Sequence, residues 1–192
     1  FILKMVVLIE ALGALAFLPV MIPEFGIARG IWYALFHSIS SFCNAGFDLM
    51  GIKEKYSSLT SYTGGMAINV IVMVLIVVGG IGFLTWDDVK RNRLRLRRYR
   101  MQSKVILVVT CLLITLPAVY FYFYEFSTPA WAGMTTQERV LASFFQSITT
   151  RTAGYNTVDL TQLTQSGQMI MILLMLVGGA PGSTAGGMKV TT

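Results

Sequence analysis

Two stretches of the sequence contain no charged residue, and each is long enough to cross a lipid bilayer. Residues 64–84 provide 21 such residues and residues 105–124 provide 20. A helix rises about 1.5 Å per residue and the hydrocarbon core is about 30 Å thick, so each stretch can span it. Residues 2–22 are also apolar apart from Lys4 and Glu10. The sequence therefore predicts an all-α membrane protein, with Glu10 facing a polar group on a neighbouring helix.

The distribution of charge supports a membrane location. Charged residues make up 12% of the chain, about half the usual share in a soluble domain. Eight of the fifteen basic residues fall within residues 90–104. A nucleic-acid-binding tract would also be basic, but a basic segment between two spanning helices is more typical of a cytoplasmic loop. We predict a multi-pass plasma-membrane protein with this loop in the cytoplasm and no nucleic-acid partner.

A short motif occurs twice. It reads FHSISSFCNAGFD at residues 36–48 and FQSITTRTAGYN at residues 145–156, and its glycines, Gly46 and Gly154, lie 108 positions apart. The two copies align along their whole length when a gap of one residue is allowed in the second copy, which indicates an internal repeat.

This repeat divides the chain. We predict a first unit at residues 1–89, which includes a polar surface loop at residues 53–61. The basic loop at residues 90–104 and a second unit at residues 105–192 follow.

Each motif includes the end of a helical segment that is too short to span, at residues 29–41 and 135–150. A re-entrant pore helix followed by an extended strip fits this pattern, because irregular backbone at membrane depth can turn its carbonyls toward an ion. The carbonyl end of each short helix would add about half a negative charge, which favours a cation. Thr136 is the predicted N-cap of the second short helix.

Two side chains near the strips have alternative interpretations. His37 could be an ion ligand or a proton relay, but a single histidine among serines is more often a hydrogen-bonded packing residue. Arg151 lies close to the predicted cation path, and we expect it to point behind its strip and brace the strip carbonyls through hydrogen bonds.

The last segment cannot form a complete spanning helix. Only residues 169–177 are continuously apolar, and GGAPGSTAGGMK follows at residues 178–189. Glycine and proline at this density oppose a regular helix, and irregular backbone is tolerated in the membrane only against protein or a water-filled cavity. We expect this loop beneath the strips, in the pore. A phosphate-binding loop has a different spacing and follows a strand.

The two strips and the glycine-rich loop together resemble the Trk/Ktr/HKT superfamily of potassium transporters, in particular the Ktr membrane subunit, KtrB. The resemblance implies four repeated units, each of helix, pore helix with filter strip, and helix, around one pore. This chain would supply two of the four, repeats two and three, with the second half of the broken final helix beyond residue 192.

The resemblance also implies a role for individual residues. Main-chain carbonyls of the two strips would bind potassium, and these belong to Cys43, Asn44, Ala45, Gly46, Arg151, Thr152, Ala153 and Gly154. The intramembrane gate would be formed by Gly178, Gly179, Ala180, Pro181, Gly182, Ser183, Thr184, Ala185, Gly186, Gly187 and Lys189.

Partners and ions follow from the same resemblance. It implies a homodimer in membrane lipid, resting on a KtrA-like cytosolic ring that binds nucleotide, with the basic loop as part of that contact. Potassium is the transported ion and sodium a candidate activator, without a covalently bound cofactor. Glycine rather than serine at both filter positions points to potassium over sodium.

Two other functions compete with a potassium pore. A secondary transporter for another cation or small solute could place its substrate at the broken helix, near the membrane midplane. The alternative from another class is a membrane-embedded enzyme or a structural scaffold whose glycine-rich loop packs helices. The enzyme is disfavoured, because one histidine and no matched acid pair leave nothing for acid–base or metal chemistry. We therefore predict a membrane pore subunit that is not an enzyme.

Overall fold

The computed structural model describes residues 2–52, 57–93 and 95–192, and of Leu96 only the main chain. The predicted loop at residues 53–61 thus lies partly outside the described residues. The described α-helices are α1 Ile2–Phe25, α2 Ile27–Phe42, α3 Met66–Gly80, α4 Phe83–Asn92, α5 Met101–Tyr120, α6 Thr136–Thr149 and α7 Gln165–Leu176. The predicted all-helical fold class is confirmed.

Two of these helices are long and apolar enough to cross a membrane. They are α1 and the continuous segment Met101–Glu125, in which a π-helical turn at Phe121–Glu125 extends α5. Most of their side chains are not buried within the chain, as expected of helices that face lipid. Helix α1 continues past Pro19 and Pro23 to Phe25, so it is longer than predicted.

The predicted continuous span at residues 64–84 is wrong. Helix α3 ends at Gly80 and α4 begins at Phe83, and the two axes are bent by 94°. Gly82 has a φ of 91°, a left-handed value that side-chain-bearing residues avoid and that interrupts the helix. The pair α3–α4 is therefore one broken span or a re-entrant turn.

The basic segment is only partly a loop. Residues 90–92 belong to α4 and residues 101–104 belong to α5. Asp88, buried at 3% exposure, joins the two helices, because its carboxylate accepts hydrogen bonds of 2.6 Å from Ser103 Oγ and 3.1 Å from the Arg100 backbone N–H. The connection between α4 and α5 is thus held by a buried acid.

The two repeated units pack together around a shared core. Helix α1 packs on α2 and α3, α5 packs on α6, and α3 contacts α6 across the units. The larger core cluster combines Phe17, Phe42 and Val72 of the first unit with Phe145 and Tyr155 of the second. Burial of these side chains fixes the two glycine-bearing strips relative to each other.

Candidate functional site

In each strip, a backbone carbonyl near the end accepts a hydrogen bond from a hydroxyl group of the preceding short helix. Ser40 Oγ donates to the Phe47 carbonyl at 2.7 Å, and Thr149 Oγ1 donates to the Tyr155 carbonyl at 2.7 Å. These pairs are equivalent positions of the sequence repeat, with its gap of one residue. The repeat in sequence is therefore also a repeat in hydrogen bonding.

A serine anchors each short helix to the helix that precedes it. Ser38 Oγ donates to the Glu10 carbonyl of α1 at 2.7 Å, and Ser147 Oγ donates to the Ile114 carbonyl of α5 at 2.8 Å. All four hydroxyl residues, Ser38, Ser40, Ser147 and Thr149, are buried. Sequence analysis identified the segments FHSISS and FQSITT as part of the repeat but did not assign their hydroxyl groups this positioning role.

The two strips have the same unusual backbone. Positive φ values occur at Asn44 (51°) and Gly46 (70°), and at Thr152 (70°) and Gly154 (85°). In each strip, therefore, the left-handed residues are two positions apart and include the predicted filter glycine. Asn44 and Thr152 carry a steric cost of about 1–2 kcal/mol each for this conformation.

The strips touch each other. A Cβ atom placed on Gly46 would lie 2.1 Å from the carbonyl oxygen of Ala153 and 3.2 Å from Cα of Gly154. Tyr155 Oη also donates to the Phe47 carbonyl at 3.1 Å. The structure thus brings the two strips, which contain the eight predicted filter residues, into contact at Gly46 and Ala153. Three are exposed (Cys43, Ala45 and Gly154), two are half-buried (Gly46 and Thr152), and three are buried (Asn44, Arg151 and Ala153).

The glycine-rich loop at residues 178–189 is hydrogen-bonded to both strips. Thr184 Oγ1 donates to the Phe42 carbonyl at 2.8 Å and accepts from Asn44 Nδ2 at 2.9 Å. On the other side, the Gly186 backbone N–H donates to Thr152 Oγ1 at 3.1 Å. A single segment therefore contacts the end of the first short helix and both strips.

The same loop pairs with the broken end of α3. The Ala180 N–H donates to the Gly80 carbonyl at 2.9 Å, the Thr184 N–H donates to the Gly79 carbonyl at 3.2 Å, and the Phe83 N–H donates to the Gly182 carbonyl at 2.9 Å. Backbone groups left without helical partners inside a membrane are costly. The loop supplies those partners, so the break in α3–α4 and the loop depend on each other.

Close contacts explain why the loop is rich in glycine. The loop folds back on itself through hydrogen bonds between Gly178 N–H and the Met188 carbonyl (2.8 Å) and between Met188 N–H and the Leu176 carbonyl (3.2 Å). A Cβ atom on Gly178 would lie 1.8 Å from the Gly186 carbonyl oxygen. Lys189 turns inward and donates from Nζ to the Ala185 carbonyl at 2.8 Å.

His37 is a buried packing residue, as predicted. Its Nδ1 lies 2.8 Å from the Tyr33 carbonyl, and its Nε2 accepts a 3.4 Å hydrogen bond from the Leu49 N–H. This arrangement assigns the proton to Nδ1 and uses both ring nitrogens within the protein.

Arg151 points toward α5, but the expectation that it braces the strip carbonyls through hydrogen bonds is wrong. Its side chain is buried, and its hydrogen bond runs 3.4 Å from Nη2 to Thr110 Oγ1 on α5 rather than to a carbonyl of the strip. Arg151 therefore ties its strip to the neighbouring helix. Sequence alone gave no signal for Thr110, because the two residues lie 41 positions apart.

The predicted N-cap of the second short helix is displaced by one residue. Thr135, not Thr136, precedes α6, and it forms a reciprocal capping box with Glu138. The Thr135 N–H donates to the Glu138 carboxylate at 2.8 Å, and the Glu138 N–H donates to Thr135 Oγ1 at 3.3 Å. Hydrogen bonds from the backbone N–H and hydroxyl of Thr135 hold the pKa of Glu138 below its usual value.

Glu10 faces the first strip. Its carboxylate lies 3.9 Å from Sγ of Cys43, the residue that ends α2. We expected this acid to face a polar group on a neighbouring helix, and its partner is the C-cap residue of α2, at the start of the first strip.

Comparisons with known proteins agree with this architecture. The TrkH family model, described as a cation transport protein, matches residues 1–192. The potassium/sodium uptake protein NtpJ of Enterococcus hirae is 42% identical over 192 residues, which cover all of this chain and 41% of that protein. The Ktr system potassium uptake protein B of Vibrio alginolyticus is 41% identical over 185 residues, covering 95% of this chain and 40% of that protein.

A solved structure shows the same fold. The potassium transporter TrkH from Vibrio parahaemolyticus superposes with a TM-score of 0.71 at 19% identity, over 95% of this chain and 36% of that one. The chain thus spans about two fifths of the length of these relatives. With the family model matching from the first residue to the last, the chain belongs to the TrkH family of cation transport proteins.

Proposed function

We propose that this chain forms part of a membrane pore that conducts potassium, with the two strips as its filter and residues 178–189 as its gate. One observation carries the proposal. The strips share an unusual backbone, meet at Gly46 and Ala153, and are both hydrogen-bonded to the glycine-rich loop. Two equivalent backbone segments at one place, with an irregular loop against them, are suited to an ion path and its closure.

The filter would use main-chain carbonyls rather than charged side chains. Main-chain carbonyl oxygens can replace the hydration shell of potassium. The buried hydroxyls of Ser40 and Thr149 hold the far end of each strip, so the carbonyl positions are fixed before an ion arrives. We assign ion coordination to residues 43–46 and residues 151–154.

The ion assignment draws on the relatives. One is named a potassium/sodium uptake protein and another a potassium uptake protein. We propose potassium as the main transported ion, with sodium as a second permeant ion or an activator. Glycine at both filter positions supports potassium over sodium.

The chain would supply two of four repeats, family repeats two and three, at residues 1–89 and 105–192. Residues 90–104 would face the cytoplasm, following the rule that basic loops stay inside. We propose that the complete transporter is a homodimer and that a cytosolic nucleotide-binding ring contacts this basic segment. Helix α4 connects the segment to the gate through the hydrogen bond between Phe83 N–H and the Gly182 carbonyl.

A secondary transporter is the second candidate, and the additional helix break favours it. The break between α3 and α4 and the end of α7 meet at the glycine-rich loop, and paired broken helices also form substrate sites in transporters. In such a protein, uptake would depend on a second solute gradient.

The two functions can be separated in proteoliposomes that contain the transport-competent protein carrying this sequence. A potassium pore should equilibrate ⁸⁶Rb⁺ down a potassium gradient alone, and sodium should change the rate without being required in stoichiometric amounts. Uptake that stops when the sodium gradient is removed, with a fixed ratio of sodium to rubidium, would instead support the secondary transporter.

A further inference from the structure

A groove lies between the beginning of α1 and the middle of α4, away from the strips. Its volume is ≈ 550 Å³, within the range of about 300–1,000 Å³ usual for small-molecule sites. It is lined by Lys4, Met5, Leu8, Trp86, Val89 and Lys90. Four of these residues are apolar and two are lysines, so the groove combines an apolar wall with positive charge.

Helix geometry places each lysine beside an apolar partner. Lys4 and Leu8 are four residues apart on α1, and Trp86 and Lys90 are four residues apart on α4, so each pair lies on one face of its helix. Lys4 and Lys90 are both exposed. Each of the two helices therefore contributes one exposed lysine to the lining of the groove.

The indole of Trp86 is held in a fixed position. Its Nε1–H donates to the Val78 carbonyl of α3 at 3.0 Å, across the break between α3 and α4. The ring is half-buried, so its polar atom is used inside the protein while its apolar surface lines the groove. An aromatic ring near a polar rim is typical of the boundary between lipid tails and headgroups.

The neighbouring acids are engaged elsewhere on α4 and α5. The Asp87 carboxylate pairs with Arg91 at 2.9 Å, and the Asp88 carboxylate accepts from Ser103 and Arg100. Neither acid lines the groove. The charge at the groove is positive and continues into the basic segment at residues 90–104.

We propose that this groove binds an anionic phospholipid from the leaflet on the side of the basic segment. The phosphate-bearing headgroup would lie between Lys4 and Lys90, and an acyl chain would lie against Leu8 and Trp86. Charge complementarity selects an anionic lipid over a zwitterionic one, with each lysine near the surface contributing about fivefold to relative affinity. The bound lipid would connect α1 to α4, beside the helix break that pairs with the gate loop.

Trp86 provides a probe of this site in the transport-competent protein carrying the sequence. We would reconstitute it in vesicles that contain equal mole fractions of either brominated phosphatidylglycerol or brominated phosphatidylcholine, and record tryptophan fluorescence. The contribution of Trp86 is obtained by subtracting the signal of Trp86→Phe, since Trp32 and Trp131 remain in both proteins. We expect brominated phosphatidylglycerol to quench Trp86 several-fold more strongly than brominated phosphatidylcholine.

The matched variants remove two positive charges at different places. Lys4→Gln/Lys90→Gln should reduce the preference for phosphatidylglycerol by about thirtyfold in relative affinity. The control variant Arg95→Gln/Arg97→Gln removes two exposed arginines of the basic segment. It should keep most of the preference for phosphatidylglycerol. Equal quenching by both lipids, or an equal loss in both double variants, would overturn the proposal. Absence of quenching by either lipid would also overturn it, because protein would then cover the groove.

Discussion

The side chain of Asn44 donates a 2.9 Å hydrogen bond to the hydroxyl of Thr184, which lies 140 positions further along the chain. The same hydroxyl donates to the Phe42 carbonyl at 2.8 Å. One oxygen atom therefore joins the first strip to the glycine-rich loop. If the loop is the gate, this contact stabilises its closed position.

Replacing Thr184 by valine tests this contact. Thr184→Val removes two hydrogen bonds at nearly constant shape, and each contributes about 1 kcal/mol. We expect the loop to open more often and ⁸⁶Rb⁺ uptake into proteoliposomes to rise by about fivefold for each bond lost. Thr115→Val is the control, because the Thr115 hydroxyl donates to the Cys111 carbonyl within its own helix. Uptake by Thr184→Val at or below the level of that control would contradict a gating role.

The two glycines of the proposed filter should respond differently to serine. Gly154 has a φ of 85°, but the nearest atom to an added Cβ is 3.8 Å away, so Gly154→Ser should cost only about 1–2 kcal/mol of strain. We expect a folded protein with a lower ratio of potassium to sodium uptake. Gly46→Ser should instead reduce folded yield, since its Cβ would meet the Ala153 carbonyl at 2.1 Å. If folded Gly154→Ser keeps the wild-type ratio of potassium to sodium uptake, the assignment of Gly154 to the filter is wrong.

Neighbouring glycines at the end of α3 provide a matched pair. A Cβ atom on Gly79 would lie 2.0 Å from the Phe42 carbonyl oxygen and 2.7 Å from Thr184 Oγ1, whereas one on Gly80 meets nothing within 4 Å. Gly79→Ala should push α3 away from the strip and lower both the midpoint of thermal unfolding and the uptake rate. Gly80→Ala should leave the midpoint unchanged or raise it slightly, because alanine favours the helix by about 0.5–1 kcal/mol. Equal midpoints would show that α3 and the strip do not approach this closely.

Acid should weaken the capping box of α6. Its hydrogen bonds lower the pKa of Glu138 in the folded protein. The charge therefore stabilises the fold above the unfolded-state pKa, and this contribution is lost as the pH falls through the lower folded-state pKa. Glu138→Gln should lower the unfolding midpoint at neutral pH, and its difference from the wild type should shrink in acid. Thr135→Ala, which removes the cap itself, should cost about 1 kcal/mol. A Glu138→Gln difference that does not change with pH would contradict the assignment.

The spanning helices α1 and α5 could be read from the sequence because long apolar segments have few alternatives in a membrane. The repeat was also visible, since the runs at residues 36–41 and 145–150 share both residue types and spacing. The break at Gly82 was not predicted, because a continuous apolar run indicates lipid exposure and does not define the path of the backbone.

Contacts between residues that are far apart in the chain could not be predicted from the sequence. Arg151 could be recognised as unusual beside a predicted cation path, but its contact with Thr110 depends on how α5 packs on α6. The Thr135 cap differed from the predicted Thr136 because either threonine can cap a helix, and the reciprocal bonds with Glu138 select one.

The sequence by itself determined a helical membrane protein with two glycine-centred motifs and an irregular final segment, because hydrophobicity, charge and glycine content act locally. The tertiary structure decided that Gly46 meets Ala153, that Thr184 meets Asn44, and that the glycine-rich loop completes the broken end of α3. These relations depend on the packing of α3 against α6, which brings together backbone groups that are far apart in the chain. Buried backbone groups need hydrogen-bond partners, and here they find them in one another.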